Sequence, residues 1–199
     1  MIVVHHLNNS RSQRVLWLLE ELGLEYEIKR HQRDVKTMLA ESGAILEYLV
    51  TRYGGGKLIP PEGTPDRLRY TYWMHFAEGT AMPPLVMKLV FSRLAKGPMP
   101  FFARPIARAI AERVLGSFIQ PNIDRNLDYA ESELGGSAWF AGGEFTAADV
   151  QMSFPLEAAA ARGGLDERRP KLTAFVERIH ARPAYARALE RGGKYELLR

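Results

Sequence analysis

Hydrophobic positions open the chain as a short unbroken run and then settle into helical spacing. Ile2, Val3 and Val4 are the β-branched run, the pattern of a strand covered on both faces. From Ser10 onward Val15, Leu16, Leu18, Leu19 and Leu22 recur at helical offsets, with Arg11, Gln13, Arg14, Glu20 and Glu21 between them. Ser10 followed three residues later by Gln13 reads as a capping box, so the helix is predicted to begin at the polar turn Asn8-Asn9-Ser10. A helix start presents unpaired N–H groups and the positive end of a dipole, which is a place to hold an anion. After Gly23, the stretch Leu24 to Lys29 alternates apolar and polar and predicts a second strand. Strand, helix and strand at this spacing form a βαβ unit with a parallel pair.

His31 to Ala40 is polar with a weakly apolar tail, and Glu41-Ser42-Gly43 opens another helix. That helix carries Ile45, Leu46, Leu49 and Val50 and stops at Gly54-Gly55-Gly56. Lys57 to Pro65, with three prolines and a glycine, is the candidate linker. Everything beyond it reads as helix. Leu68, Tyr72, Trp73, Phe76 and Ala77 fall at helical offsets before Pro83-Pro84, which are expected to kink or break the run. Ile106 begins a further run through Leu134, with a kink expected at Pro121. Thr146, Pro170 and Ala184 begin the later helices, and Pro183 breaks between the last two. The expected organisation is an α/β unit over residues 1–59, a linker at 60–65 and an all-helical domain over 66–199.

Composition narrows the possibilities. The chain has 199 residues, 46% of them hydrophobic, which suffices for a substantial core. It has no run of about 18 apolar residues and no basic N-terminal leader pattern, so a cytoplasmic protein without a membrane span is expected. The net charge of +4 comes from Lys and Arg interspersed with acids, with no basic and aromatic stripe standing out. Nucleic-acid binding is therefore not expected. The chain contains no cysteine, which excludes disulfides, thiolate metal sites and a cysteine nucleophile.

Three motifs stand in order: Asn9-Ser10-Arg11-Ser12-Gln13-Arg14-Val15-Leu16-Trp17 continuing to Gly23, Glu41-Ser42-Gly43-Ala44-Ile45, and Phe145-Thr146-Ala147-Ala148-Asp149. Together they resemble the glutathione S-transferase superfamily, nearest its bacterial and fungal branch, over essentially the whole chain. The resemblance implies a thioredoxin-like N-terminal domain, a helical C-terminal domain, glutathione as co-substrate, a hydrophobic electrophile as second substrate and a homodimer, in a detoxification role. Without a cysteine of its own, such a protein receives its reacting thiol with the substrate, which argues against branches that form a mixed disulfide with glutathione. Conjugation to an electrophilic carbon is the leading reaction, and glutathione-dependent peroxide reduction is also compatible. The rival is a non-catalytic module of the same family used for protein association.

Site residues follow from chemistry and resemblance together. Ser42 opens a helix, so its hydroxyl and N–H can both donate to a carboxylate; the resemblance implies that it holds the γ-glutamyl carboxylate of glutathione and Glu41 the amino group. Beside the first helix, a hydroxyl or amide donating to sulfur favours thiolate over thiol, and a thiol near 8.5 needs only about two units of lowering to ionise at neutral pH. Ser10 is the first choice for that donor and Asn9 the second, with the Arg11 charge nearby; Ser10 acting only as a helix cap is the bland alternative. Tyr72, Phe76 and Met82 are candidates to line the electrophile pocket, although helical spacing suits plain core as well. His5 and His6 lack the spacing of metal ligands and are assigned to packing, and no metal is expected. Thr146-x-x-Asp149 is read as a structural capping box.

One departure stands out. The family places a helix, a loop ending in a cis-proline and a two-stranded hairpin before the Glu41-Ser42 pair, roughly 25 residues in all. Only His31 to Ala40 occupies that place, with the apparent splice near Thr37 to Ala40. A segment omitted from the sequence is favoured over a true deletion, because a deletion strips the sheet to two strands and bares helix surfaces.

Overall fold

The computed structural model describes residues 1–31, 41–94, 96–161, 165–193 and 195. Strand β1 (Ile2–Leu7) pairs in parallel with β2 (Tyr26–His31), Ile2 opposite Tyr26 and Leu7 opposite His31. Helix α1 (Ser12–Leu22) makes the crossover between them. Among the described residues the sheet has these two strands alone. The second strand starts two residues later than its alternation predicts. Gly23, at φ 66°, closes α1 in the left-handed region, and the Leu24 N–H reaches back to the Leu19 carbonyl at 3.0 Å. That closure draws Leu24 into the helix end.

The predicted capping box at Ser10 does not form. The residue before α1 is Arg11, which makes no side-chain cap, and the Ser10 hydroxyl turns back to the Leu7 carbonyl at 2.7 Å. Gln13 cannot reach back either, because it is enclosed against Gly192. Every residue from Gln13 to Leu19 is buried, so α1 is a central helix walled on all sides rather than a surface helix with one apolar stripe. Its neighbours are β1, α2 (Ser42–Tyr53), α7 (Ala147–Ala161) and α9 (Pro183–Gly192).

The two proline sites inside the helical part share one solution. Helix α3 (Pro65–Phe76) runs through a π turn, Ala77–Ala81, into α4 (Met82–Leu94), so Pro83 and Pro84 bend the bonding pattern without breaking the rod. The Met82 N–H bonds to the Ala77 carbonyl five residues back, and the Thr80 carbonyl, which Pro84 cannot serve, accepts from Asn126 Nδ2 at 3.0 Å. Helix α5 (Arg104–Val114) passes through a second π turn, Leu115–Ile119, into α6 (Gln120–Glu133), just ahead of Pro121. Helix α8 (Pro170–His180) starts on its proline, as predicted, whereas Pro183, expected to stand as a breaker ahead of a helix from Ala184, is itself the first residue of α9, where its missing N–H costs little. One continuous core, from Val4 through Trp17, Trp73 and Phe140 to Ala188, joins the α/β unit to the helices.

The splice region Thr37 to Ala40 lies outside the described residues. Among the described residues no peptide bond is cis. Val3 on β1 and Ile45 and Tyr48 on α2 are exposed.

Candidate functional site

Where α1, α2, α7 and the first π turn meet, a polar cluster is embedded in the core. Arg14 is its centre, with a side chain 1% exposed. Its Nη1 donates to Ser42 Oγ at 3.1 Å and to Gln151 Oε1 at 2.9 Å, and forms an ion pair with Glu78 Oε1 at 2.8 Å. Its guanidinium also lies over the Phe154 ring, 4.8 Å from the centroid. Burial holds the Arg14 pKa below its ordinary value, against the attraction of Glu78. The Nε and Nη2 edge of the same guanidinium has no hydrogen-bond partner. Arg11 reaches the same carboxylate, its Nε lying 2.9 Å from both Glu78 oxygens.

Two of the sequence-derived candidates, Ser42 and Arg11, contact this cluster. Ser42 is buried at the first position of α2, and Glu41, just before it, is exposed and extended. Gly43 lets the start of α2 approach α7 closely, because a Cβ there would sit 3.2 Å from the Gln151 amide. Ser42 and Arg11 are thus joined through Arg14, Glu78 and Gln151, three residues that sequence reasoning did not select. The only hint was Arg14, four residues before Leu18 and therefore on a buried face.

Ser10 and Asn9 lie on the turn between β1 and α1. Asn9 is exposed at φ 55°, a conformation asparagine tolerates better than most residues. The Ser10 hydroxyl lies 2.7 Å from both the Leu7 carbonyl and Ser12 Oγ, and its oxygen accepts the Ser12 N–H at 3.2 Å. Ser12 Oγ in turn lies 2.8 Å from His6 Nδ1. His6 Nε2 faces the Gly192 carbonyl at 3.1 Å, and a carbonyl only accepts, so Nε2 carries the proton and Nδ1 receives the Ser12 hydroxyl. Burial, assisted by the Arg30 charge, holds the His6 pKa below the usual imidazole value and keeps the ring neutral. His6 therefore packs and positions, while His5 stacks on His31 at the surface.

Of the pocket candidates, Phe76 and Met82 are buried in the core. Tyr72 is exposed and stacks on Phe76, with ring centroids 5.7 Å apart. The Thr146 and Asp149 pair does form its box: Asp149 accepts the Thr146 N–H at 2.8 Å and the Phe140 N–H at 2.9 Å. Burial raises its carboxyl pKa to about 6 against those bonds. A second buried carboxylate, Glu157, receives His180, Tyr185 and Tyr195 and anchors the C-terminal stretch over α7.

Comparison with known proteins bears on these residues. Residues 119–183 match the family model described as glutathione S-transferase, C-terminal domain. Glutathione S-transferase 3 of Schizosaccharomyces pombe is 37% identical over 181 residues, covering 80% of this chain and 74% of that one. Four-fifths of a 199-residue chain is fewer than 181 residues, so the alignment contains positions with no counterpart here. The structure is similar to a glutathione S-transferase of Actinobacillus pleuropneumoniae, with a TM-score of 0.75, 26% identity and coverage of 100% of this chain and 96% of that one. It is also similar to glutathione transferase URE2P6 of Phanerochaete chrysosporium in complex with oxidized glutathione, with a TM-score of 0.71, 22% identity and coverage of 94% and 93%. The two-stranded βαβ unit and the helices after it correspond to the thioredoxin-like and helical parts of this fold. On the strength of the Schizosaccharomyces relative and the matched helical domain, the chain belongs to the glutathione S-transferase superfamily.

Proposed function

We propose that this protein binds glutathione at the start of α2 and steadies its thiolate at the turn between β1 and α1, for attack on an electrophilic small molecule. The observation that carries this reading is the buried Arg14, which holds Ser42 Oγ in place at a helix N-terminus and shares Glu78 with Arg11. The Ser42 hydroxyl accepts from Arg14, so its own hydrogen remains to donate to a carboxylate, beside the helix N–H groups. Glu41, exposed at the same end, is assigned the amino group of the γ-glutamyl unit. The glutathione transferase URE2P6 complex with oxidized glutathione supports a ligand of this kind.

The thiolate step rests on Ser10. Rotating its hydroxyl from the Leu7 carbonyl to an incoming sulfur exchanges one neutral hydrogen bond for a charge-assisted one. The Ser12 N–H still holds the Ser10 oxygen, and neutral His6 takes the Ser12 hydrogen, so the rotation leaves the rest of the chain intact. Asn9 is the second candidate for the same contact. The electrophile is assigned to the Tyr72, Phe76 and Met82 side, because Glu78 lies between Phe76 and Met82 and bonds Arg11, the neighbour of Ser10. A homodimer is part of the same reading.

Calorimetric titration with glutathione, followed by conjugation of an aryl halide, tests it. Binding and turnover support the reading. Binding without turnover favours a non-catalytic member of the family.

A further inference from the structure

A continuous line of hydrogen bonds runs inward from Ser10. The Ser10 hydroxyl, partly exposed on the turn, lies 2.7 Å from Ser12 Oγ, and Ser12 Oγ lies 2.8 Å from Nδ1 of the buried His6. His6 Nε2 ends the line on the Gly192 carbonyl at 3.1 Å. That carbonyl fixes the direction of the hydrogens behind it. Nε2 must donate to it, so Nδ1 of the neutral ring is bare and accepts the single hydrogen of Ser12. Ser12 Oγ is left with lone pairs, which face the Leu7 N–H at 3.2 Å and the Ser10 hydroxyl. Ser10 is therefore the donor between the two serines, sharing its hydrogen with the Leu7 carbonyl at 2.7 Å. The Ser10 oxygen accepts the Ser12 N–H and has a second lone pair to offer a ligand.

Three elements face the His6 ring from around β1. Helix α1 offers Ser12, the end of α9 offers the Gly192 carbonyl, and β2 offers Arg30, whose Nη1 donates to the same carbonyl at 2.7 Å. Burial, and less strongly Arg30, disfavours a charged ring in the free protein. A thiolate at Ser10 is an opposite charge and favours the imidazolium. Both N–H groups of that imidazolium already have acceptors, Ser12 Oγ for one and the Gly192 carbonyl for the other.

On the reading of Ser10 as the group that meets the glutathione sulfur, on which this inference rests, the geometry points to His6 as the acceptor of the thiol proton, delivered through the Ser10 and Ser12 hydroxyls. The S–H bond breaks as an O–H bond forms at Ser10. Ser10 passes its former hydrogen to Ser12, and Ser12 passes its own to His6 Nδ1. The products are a thiolate and an imidazolium, and no electron is gained or lost. Each hydroxyl ends reversed, so that Ser12 donates to Ser10 and Ser10 donates to the sulfur. That last contact is the one that steadies the thiolate. Once the sulfur has bonded to carbon and the product has left, the proton returns along the same line to water at Ser10. His6 never touches the substrate; it is a positioning residue that decides where the proton goes.

The test counts protons. Glutathione is titrated calorimetrically into the full-length protein at neutral pH in buffers of different ionisation enthalpy, with S-methylglutathione, which has no thiol, as the baseline. Thiolate is followed by its ultraviolet absorbance. The wild type is expected to form thiolate while releasing far less than one proton per thiolate to the buffer, because His6 keeps it. His6→Gln has no base at that position and is expected to release about one proton per thiolate. Ser12→Ala cuts the line with His6 still in place and is expected to do the same, which serves where the His6 variant fails to fold. Turnover with an aryl halide is expected to fall about tenfold in either variant near pH 6.5, one unit of thiol pKa, and to recover by about pH 8.5. A full proton per thiolate from the wild type, variants that release no more than the wild type, or an equal loss of turnover at both pH values each overturn the relay and leave the thiolate reading standing. Glutathione binding without thiolate, or no binding, overturns that reading and the relay with it.

Discussion

Replacing Glu78 by glutamine should unsettle the fold more than a partly exposed surface carboxylate normally does. Glu78 is a quarter exposed, but it is the counter-ion of an arginine with 1% exposure, 2.8 Å away. At an effective dielectric of 20, two unit charges at that distance attract by about 6 kcal/mol. Breaking a buried pair by removing one partner costs about 3–5 kcal/mol. Water at the exposed edge of Glu78 and the surviving bonds to Ser42 and Gln151 reduce this, so Glu78→Gln is expected to lose about 2–4 kcal/mol. Against a typical total of about 5–15 kcal/mol, that is a large fraction. The assay is urea unfolding followed by circular dichroism, with the slope of the transition as a check on two-state behaviour. Adding Arg14→Met removes the stranded cation and is expected to recover at least about 1 kcal/mol, because apolar replacements of buried pairs are often neutral or stabilising. A Glu78→Gln midpoint unchanged from wild type, or a double variant no better than the single one, would refute the argument that Arg14 is held at electrostatic cost.

Further predictions concern the site and its supports. Ser10→Ala should move the acid limb of the kcat/KM profile for conjugation upward by about two pH units, reducing the thiolate roughly fiftyfold at pH 6.5; an unchanged profile transfers the role to Asn9. Ser42→Ala removes one hydrogen bond to a charged carboxylate, worth about 1.5–3 kcal/mol, and should raise KM for glutathione at least about tenfold with little change in kcat. Asp149 has a folded pKa raised to about 6, so the folded state binds its proton more tightly than the unfolded chain does. Its contribution is complete below about pH 4 and is lost as pH rises through 6, on the order of 3 kcal/mol; urea midpoints at pH 4.5 and pH 7 should differ less in Asp149→Asn than in wild type. His6 has the opposite sign: its pKa is lowered by burial, so its contribution is present above the ordinary imidazole value and drains on acidification, a slope that His6→Gln should flatten.

What the sequence disclosed is what lies close together along it. The βαβ order, the helix started by Pro170 and the Thr146 and Asp149 box all depend on residues a few positions apart, and all are found. The Ser10 capping box failed although its spacing was right, because Leu7 and Ser12 are nearer partners for that hydroxyl and Gly192 closes over Gln13. The Arg14 cluster was illegible for a different reason. Its partners come from α2, the first π turn and α7, separated by long stretches of chain, and no period connects them. An arginine between apolar neighbours reads as a polar face until the helices around it are assembled.

The first π turn has an effect beyond accommodating two prolines. A π turn amounts to one residue inserted into an α-helix, and each residue turns the helix by about 100°. Everything after Ala81 is therefore out of phase with α3, and that offset decides which side of α4 carries Val86, Val90 and Leu94 outward while Leu85 faces in. Deleting Gly79, which touches nothing within 4 Å of where a Cβ would stand, would restore simple helical phase. It would leave the composition of α4 almost untouched and rotate its outward face away from solvent. The orientation of the outward face of α4 is in this sense a matter of register, set by a single residue.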